Sequence, residues 1–293
     1  MICLCDSALA STKAQASSRH ALAGVFTLCA LLAASVVPAA AVDLLDDSFL
    51  RGSLGSGPVR WDGVVLGGGI AYSAMNSDFG SSTSSQIAFI LRNSTLETED
   101  SPSNWTTLPN DTSNAKSFGF FLGYNAQWDD LMLGADIGYN RPLKAGTSAT
   151  DSIDRIVTTS DGVSHNVNID ASSSTNLIDY GTFRARAGYA FGQFLPYAVI
   201  GGAVGRFNYL NTATLTDVQT PSGGGAPSTF GPVTQSEGQN NKFAAGFLYG
   251  LGMDVAILPN VFLRGEWEYI GFGAVGGIRS TLNTARVGLG VRF

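Results

Sequence analysis

Val261-Phe262-Leu263-Arg264-Gly265-Glu266-Trp267-Glu268-Tyr269 alternates residue by residue between two chemistries. In an extended chain successive side chains point to opposite faces, so Val261, Leu263, Trp267 and Tyr269 share one side and Arg264, Glu266 and Glu268 the other. A helix would scatter the three charges around its circumference. The run therefore predicts a β-strand with one apolar, aromatic face and one charged face.

The same alternation recurs along the chain. Over 115–127, Phe118, Phe120, Leu122 and Tyr124 oppose Ser117, Gly119, Gly123 and Asn125, with Phe121 breaking the rule. Leu133, Ala135, Ile137 and Tyr139 oppose Gly134, Asp136 and Gly138. Further on, Phe183, Ala185, Ala187 and Tyr189 oppose Arg184, Arg186 and Gly188. Phe243, Phe247, Tyr249, Leu251, Met253 and Val255 face away from Gly246, Gly250, Gly252 and Asp254. At the end of the chain, Ala285, Val287, Leu289, Val291 and Phe293 face away from Arg286, Gly288, Gly290 and Arg292. Eight strands are predicted, near 61–76, 115–127, 131–141, 177–191, 194–210, 241–257, 261–271 and 280–293. Tight turns at 127–130, 192–193 and 259–260 alternate with long Ser/Thr/Asn/Gly-rich connections at 77–114, 142–176 and 211–240, and a shorter one at 272–279.

In a soluble sandwich the polar faces would be rich in Lys, Glu and Thr. Here they combine glycine with arginine, as a narrow lumen requires: a residue without a side chain on one strand leaves room for a guanidinium from another. The apolar faces then meet lipid, with Tyr, Trp and Phe suited to its interfaces, and the sheet must close so that no backbone edge is left unpaired. The prediction is an all-β fold: an eight-stranded antiparallel up-and-down transmembrane β-barrel with three long and one shorter extracellular loops. A soluble, lipocalin-like barrel is the structural rival.

Composition agrees. Charged residues make up 14% of the chain, against about 25% in ordinary soluble proteins, and there are 36 glycines in 293 residues. A net charge of −6 leaves nothing to neutralise a row of phosphates, which excludes a nucleic-acid partner. Beyond the N-terminal region no apolar run approaches the roughly 20 residues of a membrane helix. At the N-terminus, polar residues with Lys13 and Arg19 precede an apolar stretch from Ala21 to Val37 and then Pro38-Ala39-Ala40-Ala41, the layout of a cleaved secretory signal. The predicted organisation is a signal peptide over 1–41, a short periplasmic segment over 42–60 and the barrel over 61–293. Cys3, Cys5 and Cys29 all fall in the signal, so the mature chain has no disulfide, no cysteine nucleophile and no cysteine metal site.

Alternation places Asp136, Asp254, Glu266 and Glu268 in the lumen with Arg184, Arg186, Arg206, Arg264, Arg286 and Arg292. Buried charges persist only when paired, and arginine offers a planar fork to carboxylates. An eight-stranded interior is just filled by side chains, which favours a charge network plugging the barrel over an ion-selective constriction. Glu266 and Glu268 could in principle do acid–base chemistry, but two residues apart among arginines they read as members of that network. One histidine, His165, follows the signal. It lies in the 142–176 connection with Asp161 and Ser164, too isolated for a serine triad or a metal site, so neither an enzyme nor a cofactor is expected. Gly67-Gly68-Gly69 lacks the Gly-Lys-Ser/Thr sequence and helix of a phosphate loop. The triplets at Asn93 and Asn104 match a glycosylation acceptor that is idle in an outer-membrane setting. Trp105, in a polar connection, reads as a loop anchor.

Several local patterns carry a resemblance: Phe49-Leu50-Arg51-Gly52-Ser53, Arg60-Trp61-Asp62-Gly63, Gly67-Gly68-Gly69-Ile70-Ala71-Tyr72-Ser73, Phe121-Leu122-Gly123-Tyr124-Asn125-Ala126-Gln127-Trp128, Leu133-Gly134-Ala135-Asp136 and the terminal Val291-Arg292-Phe293. Over residues 49–293 the chain resembles the small surface-antigen barrels of α-proteobacteria, the opacity-protein-like or porin-family outer membrane β-barrel domains. That resemblance implies an integral place in the bacterial outer membrane, with periplasmic termini, loops on the cell surface and surrounding outer-membrane lipid. It also implies handling by the barrel-assembly machinery and periplasmic chaperones during insertion, with terminal Phe293 as the signal that machinery reads. It defines no catalytic residues and no surface-loop partner. Asp136 stands where the pattern would have Glu. The function it implies is that of a non-enzymatic surface or structural protein, or alternatively a narrow porin-like channel for passive passage of ions or small solutes.

Overall fold

The computed structural model describes residues 59–293. The expected signal and nearly all of the 42–60 segment lie outside the described residues. Among the described residues there are nine strands: β1 Gly63–Asp78, β2 Asp111–Trp128, β3 Leu131–Pro142, β4 Gly146–Thr158, β5 Val163–Tyr189, β6 Phe194–Pro221, β7 Ser228–Leu258, β8 Val261–Phe272 and β9 Arg279–Arg292. Eight of them close a ring in the order β1-β2-β3-β5-β6-β7-β8-β9, each antiparallel to its neighbours, with β1 bonded back to β9 and β3 to β5. The ninth, β4, stands outside the ring and pairs with the first half of β5. Closure leaves the wall without a free backbone edge, the condition for a sheet in hydrocarbon.

Alternation sorts the wall as expected. Outward-facing Ile70, Phe120, Ile137, Phe183, Ile200, Phe247, Leu251 and Leu289 are all exposed. A continuous apolar exterior of this kind would be far larger than the few hundred Å2 a soluble monomer tolerates.

The long connections differ from expectation, because most of their residues are folded. Strands β5, β6 and β7 run to 27, 28 and 31 residues, well past the wall, and with β4 they form a sheet that continues beyond it. Residues 79–110 fold as two short helices, α1 Ser84–Ile90 and α2 Thr95–Asp100, followed by a 3-10 turn at Pro102–Asn104. The side chain of Ser94 caps α2 by accepting from the Glu97 amide at 3.1 Å. Ile87, Leu91 and Leu96 of this helical cap pack on Val167, Ile169, Ala213 and Leu215 of the extended sheet. Trp105 joins that cluster and donates its indole N–H to the Asp100 carbonyl at 2.9 Å. It anchors the cap.

Extension and wall are amphipathic in opposite senses. On β5 below the wall's upper rim, Phe183 faces out while Arg184 and Arg186 face in. Above it, Val167, Ile169 and Ala171 are buried while Asn166, Asn168 and Asp170 point away. The inversion coincides with β-bulges on β5, where Ile178 is the extra residue between Leu177 and Asp179, and on β7, where Asn240 and Asn241 stand against Asn208 of β6. A bulge adds one residue and so exchanges the two faces of a strand. The outer surface is apolar on one side of the bulges and polar on the other.

Candidate functional site

The inside of the barrel is built in layers. Nearest the tight turns lies an apolar floor of Trp61, Val65, Phe121, Met132, Leu195 and Phe262. Phe121, which broke the alternation, turns inward here and lies 6.4 Å from Phe262, while Trp61 meets Phe262 edge-on at 6.1 Å. Glycines make the space for these rings. A Cβ at Gly67 would lie 2.4 Å from the Phe121 ring, one at Gly290 2.2 Å from Phe262, and one at Gly252 2.4 Å from Tyr197. The glycine face thus admits aromatic rings, where guanidinium groups were expected.

Above the floor sits the charged layer. Arg184 on β5 is fully buried; its Nε donates to Asp136 Oδ1 on β3 at 2.6 Å. Its Nη1 bonds Glu266 on β8 and reaches Glu268 Oε2 at 2.9 Å. Strands β5 and β8 are three places apart around the ring, so these bonds cross the lumen. Arg186 donates to Asp254 Oδ2 on β7 at 2.9 Å, and Arg264 grips both oxygens of Asp254 at 2.9 and 2.8 Å. Arg286 stands 3.3 Å from Glu266 and 3.5 Å from Glu268, and the Tyr197 hydroxyl donates to Glu266 Oε2 at 3.0 Å. Four guanidinium groups thus face four carboxylates in a buried layer. Two of the cations also lie over rings: Arg186 is 4.0 Å from the centre of Tyr197, and Arg264 4.0 Å from that of Phe121. Tyr197 escaped the sequence reading because aromatic residues occur on both faces of the wall.

A second apolar layer, with Met75, Leu177, Tyr180, Phe207, Leu248 and Leu282, covers the charges on the loop side. Beyond it the Asn211 amide donates to the carbonyls of Ser82 in the cap and Gly276 in the β8–β9 connection, at 3.1 and 2.8 Å. These bonds tie three segments together over the mouth.

Two expected members of the layer are elsewhere. Arg206 faces outward on β6, where it pairs with Asp179 of β5, whose other contact is the Tyr139 hydroxyl at 3.1 Å. Both faces of β6 are largely apolar, so no alternating charge fixed its parity. Arg292 faces inward but at the floor, where it lies 5.4 Å from the Trp61 ring and donates to the Pro259 carbonyl rather than to a carboxylate. Terminal Phe293 is exposed, and its backbone pairs with Val64. His165 is buried on the extension of β5, with Nδ1 2.7 Å from Asp217 Oδ2, an oxygen that also accepts from Gln219 at 2.9 Å. Ser164, the preceding residue on the strand, points the opposite way, and Asp161 caps a turn by accepting from Thr159 and Val163. Among the described residues no group of three acidic, His or Cys side chains is arranged to hold a metal ion.

The model of the outer membrane protein beta-barrel domain matches residues 26–293. The chain belongs to that family. As an outer-membrane barrel it is an integral protein of the bacterial outer membrane, and the lipid around its wall follows from that. No curated protein sequence matches it. Among solved structures, neisserial surface protein A aligns with 79% of this chain and 100% of its own at 14% identity and a TM-score of 0.36. The outer membrane protein OprG of Pseudomonas aeruginosa aligns with 79% of this chain and 96% of its own at 12% identity and a TM-score of 0.32.

Proposed function

We propose that this outer-membrane barrel is a non-enzymatic surface or structural protein whose lumen is filled and does not conduct. The observation that carries the reading is Arg184: a fully buried guanidinium that ties β5 to β3 and, across the lumen, to β8, with an apolar layer on either side of it. Solute passage would require that layer to part, leaving buried charges without partners at a cost of several kcal/mol. The cap bound over the mouth supports the same reading.

On this reading the loop end projects outside the cell and the short-turn end, with both termini, faces the periplasm. Residues 1–41 serve as the export signal. Phe293, exposed on the apolar outer face, is the residue presented to the barrel-assembly machinery after escort by periplasmic chaperones. Planar-bilayer recording of the purified protein tests the central point. A flat baseline is expected, whereas stable ion-selective steps would overturn the filled-lumen reading and mark a narrow porin-like channel instead.

A further inference from the structure

The row of outward residues at the level of the two bulges is chemically unlike the wall below it. Lys116 on β2, Arg141 on β3 and Arg206 on β6 all face outward there, and Phe243 on β7 is the ladder partner of Arg206. Lys116 and Arg141 are diagonal neighbours, because the Leu143 amide donates to the Lys116 carbonyl while Arg141 stands opposite Phe118. Arg141 lies one residue beyond the last β3–β5 rung, Asn140 opposite Tyr180, which brings it beside Asp179. Of these three cations only Arg206 has a carboxylate partner among the described residues. Phe118 and Phe243 stand level with them, and Phe120, Ile137 and Phe183 below, all exposed. The opposite rim has no such excess: Arg60 pairs with Asp62, and Asp129 and Asp130 occupy a turn.

We propose that this row is a docking belt for phosphorylated lipids of the leaflet into which the loop end projects. A bilayer places its headgroups where an apolar wall gives way to a polar one. Here that boundary is fixed by the bulges, and cations stand on it across adjacent strands. A phosphate at that depth meets several cations at once, while acyl chains lie along the aromatic wall beneath. The inference rests on the wall being lipid-embedded and is separate from whether the lumen conducts.

The test uses the full barrel in nanodiscs of phosphatidylcholine doped with a phosphorylated glycolipid, with lipid retention read by native mass spectrometry. Each near-surface cation is worth about fivefold in binding an anionic membrane, so Lys116→Gln with Arg141→Gln should weaken retention about 25-fold. Asp179→Asn, which frees Arg206, should strengthen it. Lys116→Arg with Arg141→Lys keeps the charge and should match the parent, which separates charge from damage to the fold. Inorganic phosphate added in the aqueous phase should not displace the lipid; displacement would mean a free-phosphate site and overturn the proposal. Equal retention of phosphorylated and zwitterionic lipid, or unchanged retention in the double Gln variant, would overturn it as well, whatever the conductance of the barrel.

Discussion

Replacing Arg184 by methionine removes the cation shared by three carboxylates while nearly preserving volume. Asp136 then keeps only Arg186, at 3.8 Å; Glu266 keeps Arg286 at 3.3 Å and the Tyr197 hydroxyl at 3.0 Å; Glu268 keeps Arg286 at 3.5 Å. Breaking a buried ion pair by removing one partner costs about 3–5 kcal/mol, whereas an exposed pair is worth about 0–1 kcal/mol. Because each acid retains a second contact, the lower end applies. We expect a loss of about 3 kcal/mol, roughly 150-fold in the folding equilibrium. Urea unfolding in phosphatidylcholine vesicles, followed by tryptophan fluorescence, measures it. Adding Glu268→Gln should recover part of the loss by removing one stranded charge. A loss under about 1 kcal/mol would refute the reasoning, since it would mean that water already solvates the guanidinium and the lumen is open.

Four further outcomes follow from the geometry. Gly252→Ala brings a methyl group against the Tyr197 ring and should destabilise by about 1–3 kcal/mol, with relief when Tyr197→Leu is added; the same urea titration checks both. Trp61→Ala opens the apolar floor and should cost about 3–5 kcal/mol, visible as an earlier heat-shift on unboiled gels. Phe183→Arg puts a charge on the lipid face, four residues along β5 from the Asp179 bulge, and should cost about 2–4 kcal/mol in vesicles, where a water-facing site would show almost none. Asp161 is held below the usual carboxylate range, chiefly by the Thr159 hydroxyl and then by the Val163 amide. Its contribution to the turn is therefore present at neutral pH and lost as pH falls through the depressed value, so the Val163 amide resonance should titrate with a midpoint below about 3.9.

The wall was legible in the sequence because lipid outside and charge inside make alternation loud: Leu263, Trp267 and Tyr269 against Arg264, Glu266 and Glu268 left one register open. The extension was not, for a physical reason. Above the bulges the outer face meets water, and Asn166, Asn168, Asp170, Ser172 and Ser174 look like loop residues although they alternate with Val167, Ile169, Ala171 and Ser173 on the same strand. The period of two persisted while its apolar member moved to the inner face, because the helical cap packs there. In the charged layer, residues on strands with clear alternation were assigned to the lumen by parity alone. Arg206 was misplaced because its strand carries apolar residues on both faces, and its partner Asp179, sitting on a bulge, has no parity to read. Arg292 has the parity of the lumen but the height of the floor, and strand pattern carries no information about height.

One measurement bears most directly on the claim that the apolar side of the wall faces acyl chains. The only cysteines are Cys3, Cys5 and Cys29, so single cysteines placed in the barrel can be labelled alone once the export signal is absent. A solvent-sensitive fluorophore at Phe183, Ile200, Phe247 or Leu289, in vesicles of bromine-labelled lipid, should be strongly quenched, and one at Thr214 on the extension should not. Wall positions that escape quenching, or that match Thr214, would contradict the account.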